Sequence, residues 1–209
     1  MVDVVIVDYG MCNLDSVARA VESCGGRPLV TDQENDLRSA TRIILPGVGA
    51  FPHAMESLNS RNLVSAIRER AKTTKVPILG ICLGMQLLGE RSTEGRGAIG
   101  LGLIPGTVVK LIPDGTDNRI PHMGWNEVNF CKQSPLFDGI PNGKDFYFVH
   151  SYHFQCEETD NEISHSRYCG EFVSAISRGC IFGIQFHPEK SQKWGLQVIR
   201  NFLDSAPVC

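Results

Sequence analysis

The segment between residues 77 and 88 constrains the fold more strongly than any other part of the sequence. It is an apolar run interrupted by Cys82, with glycines two positions before and two positions after that cysteine. An almost continuous apolar run is typical of a parallel strand that is covered on both faces. Gly80 and Gly84 leave space for a sharp turn between the strand and a following helix. The segment therefore predicts a strand, a tight turn and a helix within an α/β sheet, with the Cys82 thiol exposed at the carboxyl end of the strand.

The first half of the chain repeats this alternation of strand and helix. Apolar, β-branched runs predict strands at residues 2–7, 42–45 and 76–81. Residues 14–24 have the pattern of a helix, and two glycines follow where it should end. This rhythm predicts βα units that contribute the parallel centre of a sheet.

The second half has a different texture, in which short strand-like runs are separated by turn residues. These runs predict strands that are partly antiparallel, at residues 107–112, 126–130, 146–150, 172–177 and 180–186. A closing helix is predicted at 192–203, with Ser191 as its N-cap. No repeat or long linker divides the sequence. We therefore expect a single α/β domain over residues 1–209, with a central, mostly parallel (mixed) sheet flanked by helices.

Composition excludes several classes of partner and cofactor. Twenty Lys and Arg against 23 Asp and Glu give a formal charge of −3 without any basic run, so nucleic acid is not an expected partner. The apolar segments are too short to cross a bilayer, and neither a signal peptide nor a membrane anchor is expected. The eight cysteines are scattered and fit reduced thiols in the cytoplasm. Pairs such as His150 with His153, or His165 with Cys169, lack the second pair that a zinc site needs, so we expect no metal and no cofactor.

Cys82 has the sequence environment of a nucleophile rather than of an ordinary buried cysteine. A free cysteine is most often a small buried hydrophobe, which is the interpretation that we give to the other seven. At Cys82 the flanking glycines and the start of a helix favour a reactive thiolate, because the positive end of a helix dipole stabilises negative charge. His187 and Glu189, where a later strand ends, lie two residues apart and are predicted to project to the same side of an extended chain. The sequence thus predicts a Cys-His-Glu triad of nucleophile, base and orienting carboxylate.

A second glycine-rich loop follows the predicted strand at 42–45 and reads Pro-Gly-Val-Gly. Backbone amides of Val48 and Gly49, together with that of Leu83 after the nucleophile, are candidates to stabilise a tetrahedral oxyanion. A phosphate-binding loop is the competing interpretation, but the pattern GxxxxGK[ST] is absent. A plain turn remains the alternative when the loop is considered by itself.

Three motifs together, PGVG at 46–49, GICLGMQ at 80–86 and HPEKS at 187–191, resemble those of class I (triad) glutamine amidotransferases. Within that family the sequence is most similar to the glutaminase subunit of imidazole glycerol phosphate synthase. DYG at 8–10, PHMGWN at 121–126 and YFVHSY at 147–152 extend the resemblance over nearly the whole chain. It implies the flavodoxin-like architecture of the family.

The resemblance also implies a reaction and a set of binding residues. Cys82 would attack the side-chain amide of glutamine, release ammonia and leave a γ-glutamyl thioester, which water hydrolyses with help from His187. The substrate-binding residues that it implies are Gly49, Gln86, Glu94, Ser151 and Tyr152. Cys12 departs from relatives, which often carry glycine there, and this leaves the path of the first loop open.

The resemblance further implies a partner protein. Ammonia would pass to a cyclase subunit with a (β/α)8-barrel fold, which a chain of 209 residues does not itself encode, so we expect a heterodimer. The cyclase would form imidazole glycerol phosphate and aminoimidazole carboxamide ribotide. The residues expected near the contact are Trp125, Asn126, Tyr147 and Lys190.

Three alternatives remain at this point. The chain could be a glutaminase subunit of another synthase, although Met85 stands where chorismate-using enzymes commonly carry histidine. It could be a Cys-His hydrolase or peptidase without ammonia transfer. It could also be a non-catalytic binding subunit, although such proteins usually lose the nucleophile or the base.

Overall fold

The computed structural model describes residues 2–73, 76–115 and 119–205. Within these ranges the chain forms one mixed sheet with helices on both faces. Its strands are β1 (Val2–Val7), β2 (Gly26–Thr31), β3 (Ile43–Leu45), β4 (Ile78–Ile81), β5 (Arg91–Ser92), β6 (Ala98–Ile99), β7 (Gly106–Lys110), β8 (His122–Phe130), β9 (Lys144–His150), β10 (Tyr152–Cys156), β11 (Glu162–Arg167), β12 (Glu171–Arg178) and β13 (Ile181–Ile184). The helices are α1 (Leu14–Ser23), α2 (Glu34–Ser39), α3 (Phe51–Ser60), α4 (Leu63–Lys72), α5 (Leu83–Leu87) and α6 (Gln192–Asp204).

The strand order is β2-β1-β3-β4-β13-β12-β10-β7-β5-β6, and β11, β8 and β9 branch from β12. The five strands from β2 to β13 run parallel to one another. From β13 onward the pairs β13–β12, β12–β10 and β10–β7 are antiparallel. The prediction of an α/β fold with a mixed sheet is confirmed. That the domain extends over all of 1–209 stays a prediction, and residues 1 and 206–209 lie outside the described ranges.

Two apolar clusters cover the two faces of the sheet. One packs α2, α3, α4 and α5 against residues such as Ile43 and Ile78, and the other packs α1, α6 and the β8–β9 ribbon against residues such as Ile44 and Leu79. Consecutive residues of β3 and β4 thus face opposite sides of the sheet, and apolar side chains cover both sides. This double coverage is the physical reason for their uninterrupted apolar runs. No helix in the described part of the chain is long and apolar enough to cross a membrane.

Two local predictions need correction. Ser191 does precede α6, but its hydroxyl donates to His187 O at 2.6 Å and accepts from Tyr147 N instead of capping the helix. The six cysteines from Cys12 to Cys169 are free, as predicted, whereas Cys180 is disulfide-bonded. Sequence spacing does not reveal a pairing that depends on tertiary proximity.

Candidate active site

The turn between β4 and α5 holds Cys82 in a backbone conformation that few residues adopt. Its φ is 53° and its ψ is −109°, and a positive φ outside glycine is uncommon and strained. A Cβ atom at Gly84 would lie 1.7 Å from Leu45 O, and one at Gly80 would lie 2.6 Å from Gly84 O. Only glycine fits at these two positions, which confirms the predicted sharp turn.

The helix after the nucleophile is shorter than its expected dipole effect requires. It spans Leu83–Leu87, and the Leu83 amide donates to Gly47 O at 3.3 Å. A helix of about one turn carries little macrodipole, and an amide that is already bonded offers little to a neighbouring charge. The predicted stabilisation of the thiolate by this helix is therefore weaker than the sequence suggested.

Strand pairing brings the nucleophile and the base to the same edge of the sheet. β4 and β13 are parallel neighbours with Ile81 opposite Ile184, and the Cys82 amide donates to Ile184 O at 2.8 Å. The chain after β13 therefore passes beside the sulfur before it reaches His187. Cys82 and His187, which are 105 positions apart in sequence, come to the same edge because the carboxyl ends of parallel strands lie together.

His187 and Glu189 form a buried pair. Nδ1 of His187 lies 2.8 Å from Oε1 of Glu189, and the two side chains are 4% and 2% exposed. His187 itself is extended, as predicted for a residue before proline, but the chain does not stay extended to Glu189, because Pro188–Lys190 is a 3-10 turn that carries the carboxylate back to the imidazole. The His187 amide donates to Tyr147 O at 2.8 Å and fixes the base against β9.

The other ring nitrogen of His187, Nε2, remains available to Cys82. Nε2 is buried without a hydrogen-bond partner among the described residues. Burial lowers the pKa of His187, but negative charge on Cys82 and the contacts with Cys82 and Glu189 outweigh it, so the pKa is raised above its usual value. The imidazole is thus suited to hold a proton that Cys82 gives up, although no hydrogen bond of normal geometry joins the two in this state.

A cleft of about 340 Å³ opens directly over Cys82. Its size lies at the lower end of the range for small-molecule sites. It contains all five residues predicted to bind glutamine, and its lining is Val48, Gly49, Cys82, Leu83, Gln86, Glu94, Pro121, Val149, His150, Ser151 and Tyr152. A larger groove of about 760 Å³ lies elsewhere, between Phe130 and Asn142, and has Cys131 but no histidine in its lining. A nucleophile with a base beside it identifies the smaller cleft as the candidate active site.

Two polar side chains of the cleft are already engaged in hydrogen bonds. Oε2 of Glu94 accepts from the Phe51 amide at 2.7 Å, at the start of α3. Nε2 of Gln86 donates to Tyr152 O at 2.9 Å and to Oε1 of Gln185 at 3.1 Å. These bonds fix the orientation of the groups that face the cleft.

Gln185 is a site residue that the sequence analysis missed. Its side chain is fully buried, and its Nε2 donates to Sγ of Cys82 at 3.6 Å. One signal was available, since Gln185 is a polar residue in an apolar strand and stands two positions before His187, on the same side.

Two of the three predicted oxyanion donors, the amides of Val48 and Leu83, are bonded to backbone carbonyls in this structure. The Val48 amide donates to Met11 O at 2.8 Å, and the Leu83 amide donates to Gly47 O at 3.3 Å. A single peptide unit, Gly47–Val48, accounts for both bonds, because it supplies the N–H of one and the C=O of the other. Rotation of that unit would release both amides together.

The first loop holds the peptide that precedes this unit. Pro46 O accepts from Tyr9 OH at 2.8 Å and from Cys12 Sγ at 3.3 Å. Burial raises the pKa of Tyr9 well above its usual value and that of Cys12 to about 11, so both groups remain protonated donors near neutral pH. The path of this loop is thereby settled, with Cys12 packed against the oxyanion loop.

Two buried histidines form a hydrogen-bonded pair in the wall of the cleft. Nδ1 of His150 lies 2.9 Å from Tyr152 O, and Nε2 of His150 lies 2.9 Å from Nδ1 of His122. A carbonyl only accepts, so Nδ1 of His150 donates and its Nε2 accepts from His122. Burial lowers the pKa of His122 to about 4 and that of His150 to about 3, so both are neutral at pH 7.

Three of the four residues predicted at a partner contact lie together on one face of the β8–β9 ribbon. The rings of Trp125 and Tyr147 have centroids 6.2 Å apart, and Nζ of Lys190 lies 5.5 Å from the Tyr147 ring. Trp125 is 49% exposed and the nearby Met123 is 67% exposed. Asn126 faces the other side of the strand, where Nδ2 bonds to His122 and to a backbone carbonyl, because successive strand residues alternate. That any of the four lies at a partner contact stays a prediction.

Comparison with known proteins gives a consistent result. The family described as glutamine amidotransferase class-I matches residues 5–206. Imidazole glycerol phosphate synthase subunit HisH of Moorella thermoacetica is 50% identical over 199 residues, which cover 95% of this chain and 93% of that protein. Subunit HisH 1 of Campylobacter jejuni strain RM1221 is 44% identical over 200 residues, or 96% of this chain and 98% of that one. The solved structure of PurLQS from Thermotoga maritima has a TM-score of 0.75 at 19% identity, covering 98% and 99% of the two chains, and supports the fold alone.

Proposed function

The chain belongs to the class-I glutamine amidotransferase family and, within it, to the HisH subunits, and on this premise we propose that it is the glutaminase subunit of an imidazole glycerol phosphate synthase. It hydrolyses glutamine to glutamate and ammonia. The observation that carries this proposal is the meeting of Cys82, His187 and Glu189 beside a cleft lined by the five expected glutamine-binding residues.

The reaction follows from the roles of these groups. The Cys82 thiolate attacks the side-chain carbonyl of glutamine, and His187 donates a proton to the departing nitrogen as the C–N bond breaks. Water then attacks the γ-glutamyl thioester, His187 accepts its proton, and the S–C bond breaks to release glutamate. Glu189 holds the imidazole in the orientation needed for both transfers. Gln86, Glu94, Gly49 and the backbone at Ser151 and Tyr152 bind the substrate.

The partner subunit receives the ammonia. We propose a cyclase with a (β/α)8-barrel fold, which incorporates ammonia to form imidazole glycerol phosphate and aminoimidazole carboxamide ribotide. The face with Trp125, Tyr147 and Lys190 supports such docking, because exposed aromatic side chains are enriched in interfaces. We place the complex in the cytoplasm, which the six free thiols support.

The isolated chain should be a slow glutaminase. The amides of Val48 and Leu83 are occupied by Met11 O and Gly47 O, so an oxyanion would lack two of its three donors until the Gly47–Val48 peptide rotates. Docking of a nucleotide-loaded partner is the event that we propose favours this rotation.

A glutaminase assay with three samples tests the function. The chain alone, the chain with the cyclase, and the chain with the cyclase and its nucleotide should hydrolyse glutamine at increasing rates. A chorismate-using synthase subunit is the matched control partner and should give no increase. Equal rates in all samples would refute the coupling, and absence of glutamine hydrolysis in every sample would refute the function.

A further inference from the structure

Gln185 has a buried side chain that the Cys-His-Glu triad does not explain. It follows β13 directly, its amide donates to Ser174 O at 2.9 Å, and the residue has no exposed surface. A buried carboxamide loses free energy unless its donors and acceptor are paired. The partners of this side chain therefore indicate why it is there.

The orientation of the Gln185 amide is set by a chain of bonds that begins at a backbone carbonyl. Tyr152 O can only accept, so the end of Gln86 that lies 2.9 Å from it is the NH2 group. The same NH2 group lies 3.1 Å from Gln185, whose facing atom must then be its oxygen. This leaves the Gln185 NH2 group directed at Sγ of Cys82, at 3.6 Å.

The sulfur needs a donor of this kind. The thiolate is the attacking species, and its charge is stabilised by N–H donors. Leu83, the first amide of α5, is bonded to Gly47 O, and Val149 O lies 3.7 Å from Sγ as an acceptor that suits the neutral thiol. Among the described residues, the N–H that donates to the sulfur is that of Gln185.

We propose that Gln185 is a catalytic residue, whose side-chain amide donates a hydrogen bond to the Cys82 sulfur and favours the thiolate over the thiol. This role rests on the proposed glutaminase activity. During attack the sulfur electron pair forms the bond to the glutamine carbonyl carbon, while the amide C–N bond breaks and the nitrogen takes a proton from His187. When water breaks the thioester, the S–C electron pair returns to the sulfur, and the Gln185 N–H stabilises that charge again.

Two variants separate this donor from the remaining packing. Gln185→Glu keeps an oxygen acceptor for Gln86 but removes the donor to the sulfur, and Gln185→Met removes both polar ends at similar length. Gln155→Glu makes the same chemical change at an exposed position on β10 and is the matched control.

The first measurement is the pH dependence of alkylation by iodoacetamide, followed by mass spectrometry at the peptide that contains Cys82. In Gln185→Met the midpoint should move upward by about one pH unit, which is the effect expected when one hydrogen bond to a charged group is lost. In Gln185→Glu it should move upward at least as far, because a carboxylate beside the sulfur also repels the thiolate. The control should keep the midpoint of the unmodified chain. An unchanged midpoint in both folded variants would overturn the proposal.

The second measurement is steady-state glutamine hydrolysis by the complex with its cyclase. Gln185 does not line the cleft, so kcat should fall about tenfold while KM stays nearly constant. A rise in KM with constant kcat would assign Gln185 a merely structural role and also overturn the proposal. The alkylation experiment needs neither glutamine nor partner, so it still tests the sulfur contact if the proposed glutaminase activity were absent.

Discussion

Two groups of residues flank Cys82, and they differ in whether they are positioned for catalysis. On one side His187 and Glu189 are bonded at 2.8 Å and buried, and Gln185 already faces the sulfur. On the other side two of the three predicted oxyanion amides, those of Val48 and Leu83, are bonded to backbone carbonyls. The side chains of His187, Glu189 and Gln185 are buried at the edge of the sheet, whereas the Gly47–Val48 peptide is held by two backbone bonds that a rotation would break together. The difference supports the proposal that this site is controlled through the Gly47–Val48 peptide and not through the triad.

The largest effect is expected from removal of the nucleophile, because His187, Glu189 and Gln185 then have no sulfur to act on. Cys82→Ala should reduce glutamine-dependent synthesis by the complex by at least about 10³-fold. Ammonia-dependent synthesis should persist, because the variant loses only its source of ammonia. Cys131→Ala removes an exposed free thiol and should leave both activities intact. Loss of both activities in Cys82→Ala would contradict the division of labour between the subunits.

A smaller effect is expected when the base loses its orienting charge. Glu189→Gln should lower the kcat of the activated complex by about 10²-fold, because the imidazolium loses a buried carboxylate. The ratio of activated to basal rate should remain that of the unmodified protein, since the substitution does not change the bonds of the Gly47–Val48 peptide. Glu157→Gln, at an exposed position, serves as the control. A change in the activation ratio would show that the two sides are not independent.

The third prediction tests directly the hydrogen bonds that hold the Gly47–Val48 peptide in its observed orientation. Tyr9 and Cys12 hold Pro46 O and bracket Met11, whose carbonyl engages the Val48 amide. Tyr9→Phe or Cys12→Ala should raise the basal glutaminase rate about fivefold, as expected for the loss of a bond contributing ~1 kcal/mol to the resting state. Cys12→Ser keeps a donor and should stay near the basal rate of the unmodified chain. Equal falls in basal and activated rates would instead indicate general damage to the loop.

The smallest effect concerns stability rather than rate. The folded-state pKa values of His122 and His150, about 4 and about 3, lie below the value of 6.5 for an unperturbed histidine. Between pH 6.5 and 4 the unfolded chain therefore binds protons that the folded chain does not, so the stability present above pH 6.5 is lost as the pH falls. Urea unfolding should show a decrease that approaches about 2 to 3 kcal/mol per pH unit in this range, or ~1.4 for each of the two histidines.

Variants isolate the contribution of the buried pair to this slope. His150→Gln should flatten the pH dependence, whatever its effect at pH 7, and His53→Gln, at an exposed position, should leave it unchanged. A slope that His150→Gln does not alter would locate the titrating groups elsewhere, for example at His153, whose pKa burial also lowers.

Much of the triad and its surroundings was predictable from sequence, because most of the geometry is local. Cys82, Gly80 and Gly84 are neighbours in sequence, and their geometry is local to one turn. His187 and Glu189 are also a local pair, so the only long-range inference needed was that two parallel strands end at one edge.

The parts that were not predictable depend on contacts between distant segments. Tyr9 bonds to a carbonyl 37 residues away, and the Gln185 side chain reaches Cys82 over 103 positions. Periodicity indicates which face of a strand is buried but not which atom it meets there. The occupied state of the Val48 amide was equally hidden, because a Pro-Gly-Val-Gly sequence permits both orientations of the peptide.

The parallel register of β4 and β13 has a consequence for how this protein can be observed while it folds. Two strands that are about 100 residues apart in sequence must dock side by side before the imidazole comes near the sulfur. A glutamine-like electrophile that modifies only the activated cysteine would therefore count the molecules in which β4 and β13 have paired. Quenched-flow labelling with such a reagent would measure, through Cys82 itself, how fast β4 and β13 pair during folding.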